Sequence, residues 1–408
     1  MRRNSSGRNW AKIALLTVAG ALVGCAAREL PTTAPWSTHL YSYARTNNTE
    51  AALKLPLAVA WDKDLSEFRL LRPFPEEELS SPALAHGQLY AGAANNRLYA
   101  IDLATGKVRW KFDAGAPIEA SPAVTEDSVC FGSSDGLMRC LDRSGKLLWQ
   151  YEARSEILSS PVIRNGKLFF NSSDNRAYAL DAGTGKRIWT YSRVTFKVVT
   201  PRFYGSPAYS DNGKLLFLFS DGVLASIDAE TGREEWTRKV ISEFDGPGGL
   251  WRRTPLVEGG TVYVIDGNNA VLALSVDKGE VKGSYGPVKA RDFIINGGAL
   301  VLAGETELVS IDRGSGGILW KKTLAKGTLS SVFAAQGNIF AISSFKKAPF
   351  GIDYFARQLG YIEAFDLKDG STAWTSTIDS DVSANASSAY SSVALLTNKG
   401  KLTVFGPK

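Results

Sequence analysis

Histidine, the side chain that most often performs acid–base chemistry, is sparse in this chain. Its two histidines are His39, in a stretch without periodicity, and His86, in a glycine turn. A metal site needs clustered ligands and a nucleophilic relay needs a base beside its nucleophile, and no such cluster appears in the sequence. We interpret Glu76 to Glu78 as a solvated charge run, with calcium binding as the alternative. The sequence therefore predicts no catalytic residue, no metal and no cofactor.

The most regularly placed aspartates occupy one fixed position of a recurring motif. Each is followed three or four residues later by a glycine, and a tryptophan comes four residues after that glycine. In such a turn the carboxylate accepts backbone N–H bonds, and glycine takes the positive φ that other residues avoid. We therefore assign a structural role to Asp102, Asp142, Asp181, Asp228, Asp312 and Asp366.

Two of the three cysteines have a spacing that allows a cross-link. Cys130 and Cys140 flank the turn 132–136, which places them on adjacent strands of one hairpin. In an oxidising compartment they would form a disulfide. The alternative is a pair of small buried side chains, because Cys140 stands where other repeats carry Ala100 and Ala179. Strand register decides between the two, since disulfide geometry is strict.

The third cysteine, Cys25, ends a segment typical of secreted proteins. Four basic residues precede the apolar run 13–23, which is too short to span a membrane. The sequence Leu-Val-Gly-Cys over 22–25 resembles the bacterial lipobox, whose cysteine is diacylated and becomes the new N-terminus. The resemblance implies a lipid on Cys25, and Ala26 after it favours the outer membrane over the inner one. An ordinary signal peptide is the alternative.

Charge does not favour a nucleic-acid partner once residues 1–24 are removed. The chain has 47 Lys and Arg against 41 Asp and Glu, and four of the basic residues lie in 1–24. The remaining 43 and 41 nearly cancel. A near-neutral chain lacks the basic surface that binds a phosphate backbone.

The aspartate motif belongs to a repeat that predicts the fold. The segment 99–110 recurs at 178–189 and, more loosely, at 225–236, and the tryptophan positions of successive repeats average about 44 residues apart. That length is typical of one four-stranded propeller blade. A four-stranded sheet cannot bury both faces alone, so we expect indoles to dock neighbouring blades. The docking residues are Trp61, Trp110, Trp149, Trp189, Trp236, Trp320 and Trp374.

Counting the repeats predicts an all-β fold, an eight-bladed β-propeller of four-stranded antiparallel blades. Five blades open with Ser-Pro or Thr-Pro, where proline at a strand start costs no ladder bond. An eighth repeat, from Val382 to Phe405, takes its outer strand from Leu57 to Trp61, which closes the ring. Seven blades is the alternative, because Gly283 stands where the fifth repeat should carry tryptophan.

These assignments divide the chain into a signal peptide (1–24), a lipidated flexible tether (25–52) and one propeller domain (53–408). The repeat resembles that of the pyrroloquinoline-quinone-type propellers, many of which bind no quinone. With the lipobox and the mature size, the whole chain resembles the BamB family, the propeller lipoproteins of the outer-membrane β-barrel assembly machinery. The resemblance implies a non-catalytic, monomeric propeller on the periplasmic face of the outer membrane. It would bind the barrel-forming subunit and assist outer-membrane protein folding and insertion.

The chain departs from that family at two contact stretches. Val199 and Pro201 replace leucines, and Arg252 and Arg253 replace acidic residues. Loops 193–205 and 242–253, here called the two-loop surface, precede consecutive blades, so we expect them to project side by side. Aromatic and arginine side chains are typical of interface hot spots. The candidate partner-binding residues are Arg202, Phe203, Tyr204, Leu250, Trp251, Arg252 and Arg253.

Three alternatives to that interpretation stay open. The aromatic residues of the two loops would serve local packing only. The protein would be a general periplasmic binding module for another envelope protein or a polysaccharide. It would be a quinone-dependent dehydrogenase, although the adjacent cysteines and calcium cluster that the resemblance implies for such enzymes are absent from the sequence.

Overall fold

The architecture is that of a computed structural model, which describes residues 37–49, 53–66, 78–193, 205–242, 253–348 and 356–408. Within these ranges the chain forms strands, turns and bends, and no helix. The described ranges therefore contain no helix with the length and apolar composition needed to cross a membrane. The predicted signal peptide and Cys25 lie outside the described residues.

The strands fall into consecutive groups of four. Two strands precede the first group, β1 (Asn48–Thr49) and β2 (Leu57–Asp64). Blade 1 comprises β3 (Ala83–Ala85), β4 (Gln88–Gly92), β5 (Arg97–Asp102) and β6 (Val108–Asp113). Blade 2 comprises β7 (Ala123–Val124), β8 (Ser128–Gly132), β9 (Leu137–Asp142) and β10 (Leu147–Glu152). Blade 3 comprises β11 (Val162–Arg164), β12 (Lys167–Ser172), β13 (Arg176–Asp181) and β14 (Arg187–Ser192). Blade 4 comprises β15 (Ala208–Tyr209), β16 (Lys214–Leu218), β17 (Val223–Asp228) and β18 (Glu234–Lys239).

The second half of the chain repeats this pattern. Blade 5 comprises β19 (Leu256–Glu258), β20 (Thr261–Ile265), β21 (Val271–Ser275) and β22 (Val281–Tyr285). Blade 6 comprises β23 (Asp292–Asn296), β24 (Ala299–Ala303), β25 (Glu307–Asp312) and β26 (Ile318–Thr323). Blade 7 comprises β27 (Thr328–Ala335), β28 (Asn338–Lys347), β29 (Arg357–Asp366) and β30 (Thr372–Ile378). Blade 8 comprises β31 (Ser387–Ala389), β32 (Ser392–Leu396), β33 (Lys401–Pro407) and, as its outer strand, β2.

Each blade is an antiparallel meander whose first strand lines the central channel. First strands of neighbouring blades contact each other, as β3 does with β7 and with β31. Second and third strands carry runs of four or more buried residues in most blades, because neighbouring blades cover both of their faces. Outer strands mostly alternate between exposed and partly buried residues, as a half-covered strand does.

The ring closes by pairing two distant segments, as the sequence predicts. β2 is antiparallel to β33, with Leu57 opposite Pro407 and Asp64 opposite Lys401. The repeat that lacks its tryptophan also forms a complete blade, β19 to β22. The prediction of eight blades is therefore confirmed, and the seven-blade alternative is wrong.

Residues 37–49 form part of the propeller, although the sequence places them in the flexible tether. β1 pairs in parallel with β27, with Asn48 opposite Ala334, and makes a fifth strand on blade 7. Backbone bonds also join this segment to the first strands of blades 2, 4 and 5. The tether boundary is corrected here, because these contacts are main-chain bonds that leave no periodic signature in the sequence. We call residues 37–49 the channel segment.

Candidate functional site

Six indoles join neighbouring blades in one repeated geometry. Each lies so close to the turn glycine of the next blade that a Cβ on that glycine would meet the ring at 2.5–2.9 Å. The indole Nε1 also donates a hydrogen bond of 2.7–3.0 Å to a carbonyl of the same turn. The pairs are Trp61–Gly106, Trp110–Gly145, Trp149–Gly185, Trp189–Gly232, Trp236–Gly279 and Trp320–Gly370.

The other two junctions differ from this geometry for reasons visible in the sequence. Blade 5 has Gly283 at the tryptophan position, and the hydroxyl of Tyr285 donates instead to the carbonyl of Arg313 at 3.2 Å. The blade 8 hairpin is built from two distant segments and lacks the aspartate turn, so Trp374 packs edge-on against Phe405, with ring centroids 5.7 Å apart. The propeller therefore keeps a polar or aromatic contact at both junctions.

A chain of hydroxyl groups links the starts of the inner strands, a contact that sequence reasoning missed. In each step a backbone N–H of one blade donates to the Ser or Thr Oγ of the next blade in the ring. The steps are Asn385 to Ser81 (3.1 Å), Ser81 to Ser121 (2.8 Å), Ser121 to Ser160 (2.9 Å), Ser160 to Ser206 (2.9 Å) and Ser206 to Thr254 (3.2 Å). Serine before proline thus satisfies a buried N–H of the preceding blade.

The repeat aspartates have their carboxylates engaged within their own turns. In blade 3, Asp181 Oδ1 accepts the Thr184 hydroxyl at 2.7 Å and its backbone N–H at 2.8 Å. These bonds lower the pKa of Asp181. Asp312 accepts the same two bonds from Ser315. Carboxylates held in this way are turn residues and poor proton acceptors.

Cys130 and Cys140 lie directly opposite each other on β8 and β9. Their Cα atoms are 4.1 Å apart, and the structure joins their sulfurs in a disulfide. Both residues are fully buried within blade 2. The bond therefore ties the two central strands of one blade and leaves the blade-to-blade contacts to the indoles.

The bases of the two predicted partner-binding loops are anchored to neighbouring turns. Arg193, at the start of the first loop, pairs with Asp221 in the turn between β16 and β17 at 3.0 Å. Lys239, near the start of the second loop, donates to the backbone carbonyl of the same Asp221. Both loops therefore leave the scaffold from one face and from adjacent positions.

Among the predicted partner-binding residues, Arg253 is the one the structure describes. It is 9% exposed, and it donates to the Asp266 carbonyl at 2.9 Å and to Asn269 Oδ1 at 3.0 Å. Arg253 therefore fixes the end of its loop to the turn between β20 and β21, and little of its surface faces solvent. The candidates Arg202, Phe203, Tyr204, Leu250, Trp251 and Arg252 lie outside the described residues.

A cleft of about 460 Å³ adjoins that turn on the same face. Asn269, which binds Arg253, lines it together with the connection 287–291 and the turn 305–307. Arg291 and Glu305 pair across it at 2.8 Å. This face thus offers charges of both signs near Arg253, the anchored end of the second loop.

The channel holds a fully buried arginine. Arg45 Nη2 donates to the carbonyls of Ser160 and Pro161 at 2.7 and 3.2 Å, and Nε donates to the Pro207 carbonyl at 2.9 Å. Nη1 donates within the channel segment, to Thr38 Oγ1 at 3.0 Å and to the His39 carbonyl at 2.7 Å. Burial lowers the pKa of Arg45 to about 9, so the guanidinium stays charged at neutral pH.

Both histidines lie within the described ranges, one in a turn and one in the channel. His86 Nε2 lies 3.1 Å from the Thr125 carbonyl in a turn, and His39 Nδ1 lies 3.5 Å from Ser121 Oγ in the channel. No group of three or more His, Cys, Asp or Glu side chains in those ranges is placed to hold a metal ion. Glu76 and Glu77 lie outside the described residues. Glu78 is not solvated as the sequence suggests: it is buried and accepts a hydrogen bond from the Ala94 N–H at 2.9 Å.

Eight stacked blades, closed by pairing the first and last strands of the ring, define a pyrroloquinoline-quinone-type β-propeller. Within that class the chain belongs to the family described as outer membrane protein assembly factor BamB. The model of that family matches residues 57–144, 94–296 and 283–408, which together span the propeller. No curated protein sequence matches this chain.

Solved structures share the fold at low sequence identity. BamB from Moraxella catarrhalis has a TM-score of 0.67 and 16% identity, over 86% of this chain and 100% of that one. Quinohemoprotein alcohol dehydrogenase ADHIIG from Pseudomonas putida HK5 has a TM-score of 0.68 and 13% identity, over 91% of this chain and 80% of that one. A europium-containing methanol dehydrogenase has a TM-score of 0.70 and 13% identity, over 91% of this chain and 98% of that one. At such identities these likenesses show the fold and leave activity open.

Proposed function

We propose that this protein is a non-catalytic scaffold of the outer-membrane β-barrel assembly machinery. A lipid on Cys25 would hold it at the periplasmic face of the outer membrane. There it would bind the barrel-forming subunit and assist the folding and insertion of outer-membrane proteins. The observation that carries the proposal is the match over residues 57–408 to a family of outer-membrane protein assembly factors.

Two features of the described residues support a scaffold over an enzyme. The repeat aspartates bind their own turns, so their carboxylates serve local structure. In a closed ring the channel would be the natural place for a cofactor. Here the Arg45 side chain occupies it and donates hydrogen bonds to carbonyls of blades 3 and 4. A planar cofactor would have to displace a buried cation and five hydrogen bonds.

We assign the partner contact to the two-loop surface. Arg193 anchors the start of the first loop, and Lys239 and Arg253 anchor the start and the end of the second. Three of the four loop ends are therefore bonded to turns of the scaffold. Rigid presentation lowers the entropic cost of binding. Because Arg253 is itself buried, we give it a supporting role. The contact residues are then Arg202, Phe203, Tyr204, Leu250, Trp251 and Arg252.

Crosslinking in the native envelope, followed by affinity purification, tests the proposal. The wild-type chain should recover the barrel-forming subunit, and Arg202→Glu with Arg252→Glu should reduce its recovery by about tenfold or more, as reversal of interface charge does. Lys186→Glu is the matched control, because Lys186 is exposed in the turn of blade 3 on the opposite face. Recovery of a different envelope protein or a polysaccharide would favour the general binding module instead. Purification of a coloured, quinone-loaded protein would favour the dehydrogenase.

A further inference from the structure

The channel segment is held as a bound peptide would be held. Its carbonyls accept backbone N–H bonds from the inner strands of four blades and from the turn after β27, a geometry that resembles strand addition to a sheet edge. The bonds are Val124 to Ser37 (2.7 Å), Tyr209 to Tyr43 (2.8 Å), Val257 to Ala44 (2.9 Å), Ala334 to Asn47 (3.0 Å) and Gln336 to Thr49 (3.1 Å). Asn47 and Asn48 also donate to the carbonyls of Val332 and Ile295, so the segment crosses the channel from blade 2 to blades 6 and 7.

One side chain of the segment enters a pocket made by the scaffold. The carbonyls of Ser160, Pro161 and Pro207 converge on the Arg45 guanidinium from two blades. These carbonyls belong to the Ser-Pro strand starts that the hydroxyl chain holds in place. Five N–H donors in a planar fork suit such a ring of acceptors, and an ammonium group or a neutral side chain would leave several carbonyls unsatisfied.

The pocket holds its arginine without an ionic partner. In the ranges the structure describes, no carboxylate pairs with Arg45, so only dipoles offset the cost of burying its charge. A cleft of about 370 Å³ also remains between the segment and the inner strands of blades 2 and 3. The segment is therefore attached by the Arg45 pocket, by main-chain bonds and by the polar side chains of Tyr43, Asn47 and Asn48. Among these contacts, the Arg45 pocket is the one that buries a charge.

We propose that the channel mouth is a peptide-binding site that the channel segment occupies in cis. Its ligand class is an extended peptide that presents one arginine to the carbonyls of Ser160, Pro161 and Pro207. When the segment leaves, the same pocket takes such a peptide from another polypeptide. This site is separate from the two-loop surface and does not depend on the function proposed above.

The test uses the full chain with Arg45→Glu, which sets a carboxylate against three carbonyls and releases the segment. The probe is a fluorescent synthetic peptide with the sequence of residues 37–49, and its control carries alanine in place of arginine. Fluorescence anisotropy should show binding to Arg45→Glu that is at least about tenfold tighter for the arginine peptide than for the alanine peptide, a difference that corresponds to about 1.4 kcal/mol. The wild-type chain should bind the arginine peptide at least about tenfold more weakly than the variant does, because its own segment competes.

A second form of the protein keeps the test decisive if Arg45→Glu fails to fold. A protease site inserted at residues 50–52 is cut after the wild-type propeller has folded. The cut segment should stay bound and should then be displaced by the arginine peptide and not by the alanine peptide. Equal binding of the two peptides, no binding to a folded variant, or a cut segment that never exchanges would each overturn the proposal.

Discussion

The indole of Trp149 lies against Gly185 of the next blade, and its Nε1 donates to the Ala182 carbonyl at 3.0 Å. Gly185 has a φ of +70°, and a Cβ on it would come within 2.5 Å of the indole. Gly316 occupies the same place in its own turn, with a φ of +73°, but no atom lies within 4 Å of its Cβ position. The difference arises because blade 5 carries Gly283 where the other blades carry tryptophan.

Alanine variants of Gly316 and Gly185 can therefore separate two contributions to stability: the strain of a positive φ and the contact with the indole of the neighbouring blade. Gly316→Ala should cost about 1–2 kcal/mol, the strain of a left-handed conformation at a residue with a Cβ. Gly185→Ala should cost about 1–3 kcal/mol more, because the methyl group must also displace an indole from a packed interface. Urea unfolding of both variants measures the difference. Equal losses would mean that the indole contact adds nothing to stability.

The disulfide of blade 2 gives a second stability prediction. Replacing Cys130 and Cys140 together with alanine should lower the free energy of unfolding by about 2–3 kcal/mol, the size expected for a short cross-linked loop. Reducing agent should lower the Tm of the wild type by a similar amount and leave the double variant unchanged. Alkylation of the denatured, unreduced protein followed by mass spectrometry checks the bond directly. Labelling of both cysteines would contradict it.

Replacing buried Glu363 with glutamine should stabilise the protein in a pH-dependent way. Burial raises the pKa of this carboxyl group, so its ionised form is less favourable in the folded than in the unfolded chain. The penalty is absent at low pH and grows as the pH rises through the folded-state pKa. Glu363→Gln keeps an oxygen for the Ala325 N–H, which now donates at 3.0 Å. It should raise the Tm at pH 7 and change it little near pH 4.

Asp181 is the control of opposite sign for that experiment. The hydroxyl and backbone N–H of Thr184 lower the pKa of Asp181, so its ionised form contributes stability above the unfolded-state pKa and loses it as the pH falls. Asp181→Asn should therefore lower the Tm at pH 7 and matter less near pH 3. Thermal unfolding followed by circular dichroism between pH 3 and 7 compares both variants. Parallel pH profiles for the two would refute the assigned signs.

The proposed lipidation of Cys25 predicts where the protein is found after cell fractionation. Cys25→Ser should move it from the membrane pellet to the soluble periplasmic fraction and abolish incorporation of labelled palmitate, because the acyl chains supply the membrane affinity. Lys186→Glu again serves as the control and should leave both readouts unchanged. Palmitate labelling of the Cys25→Ser variant would place the lipid elsewhere.

Sequence periodicity predicted the parts of the fold that repeat. Tryptophan and glycine recur at one spacing, so the number of blades and the pairing of β2 with β33 followed from counting. The repeat with Gly283 in place of tryptophan still counts as a blade, because a blade needs four paired strands and tolerates the loss of one docking side chain. The same reasoning identified the Ser-Pro strand starts but not the hydroxyl chain, because its bonds run between blades and depend on register.

The channel segment escaped prediction for a different reason. Many of its bonds to the inner strands use main-chain atoms, so residues 37–49 need no alternating pattern. The decisive side chain, Arg45, is a single charged residue in a polar stretch, and such residues are usually exposed. Its burial depends on carbonyls of blades 3 and 4, which lie more than 100 positions away along the chain. The sequence also does not indicate that Arg253 is buried, because nothing in it places Asn269 beside Arg253.

β2 cannot pair with β33 until residues 401–407 have been made. The two strands are separated by more than 330 residues, so their contact is among the last to form as the chain is made. Until then β2 waits as an open edge, with Val59 still half exposed even in the finished ring. Asp62, Lys63 and Asp64 place alternating charges on that waiting edge, which discourages it from joining another molecule's sheet. The charges of β2 thus disfavour aggregation through this edge before β33 is available to pair with it.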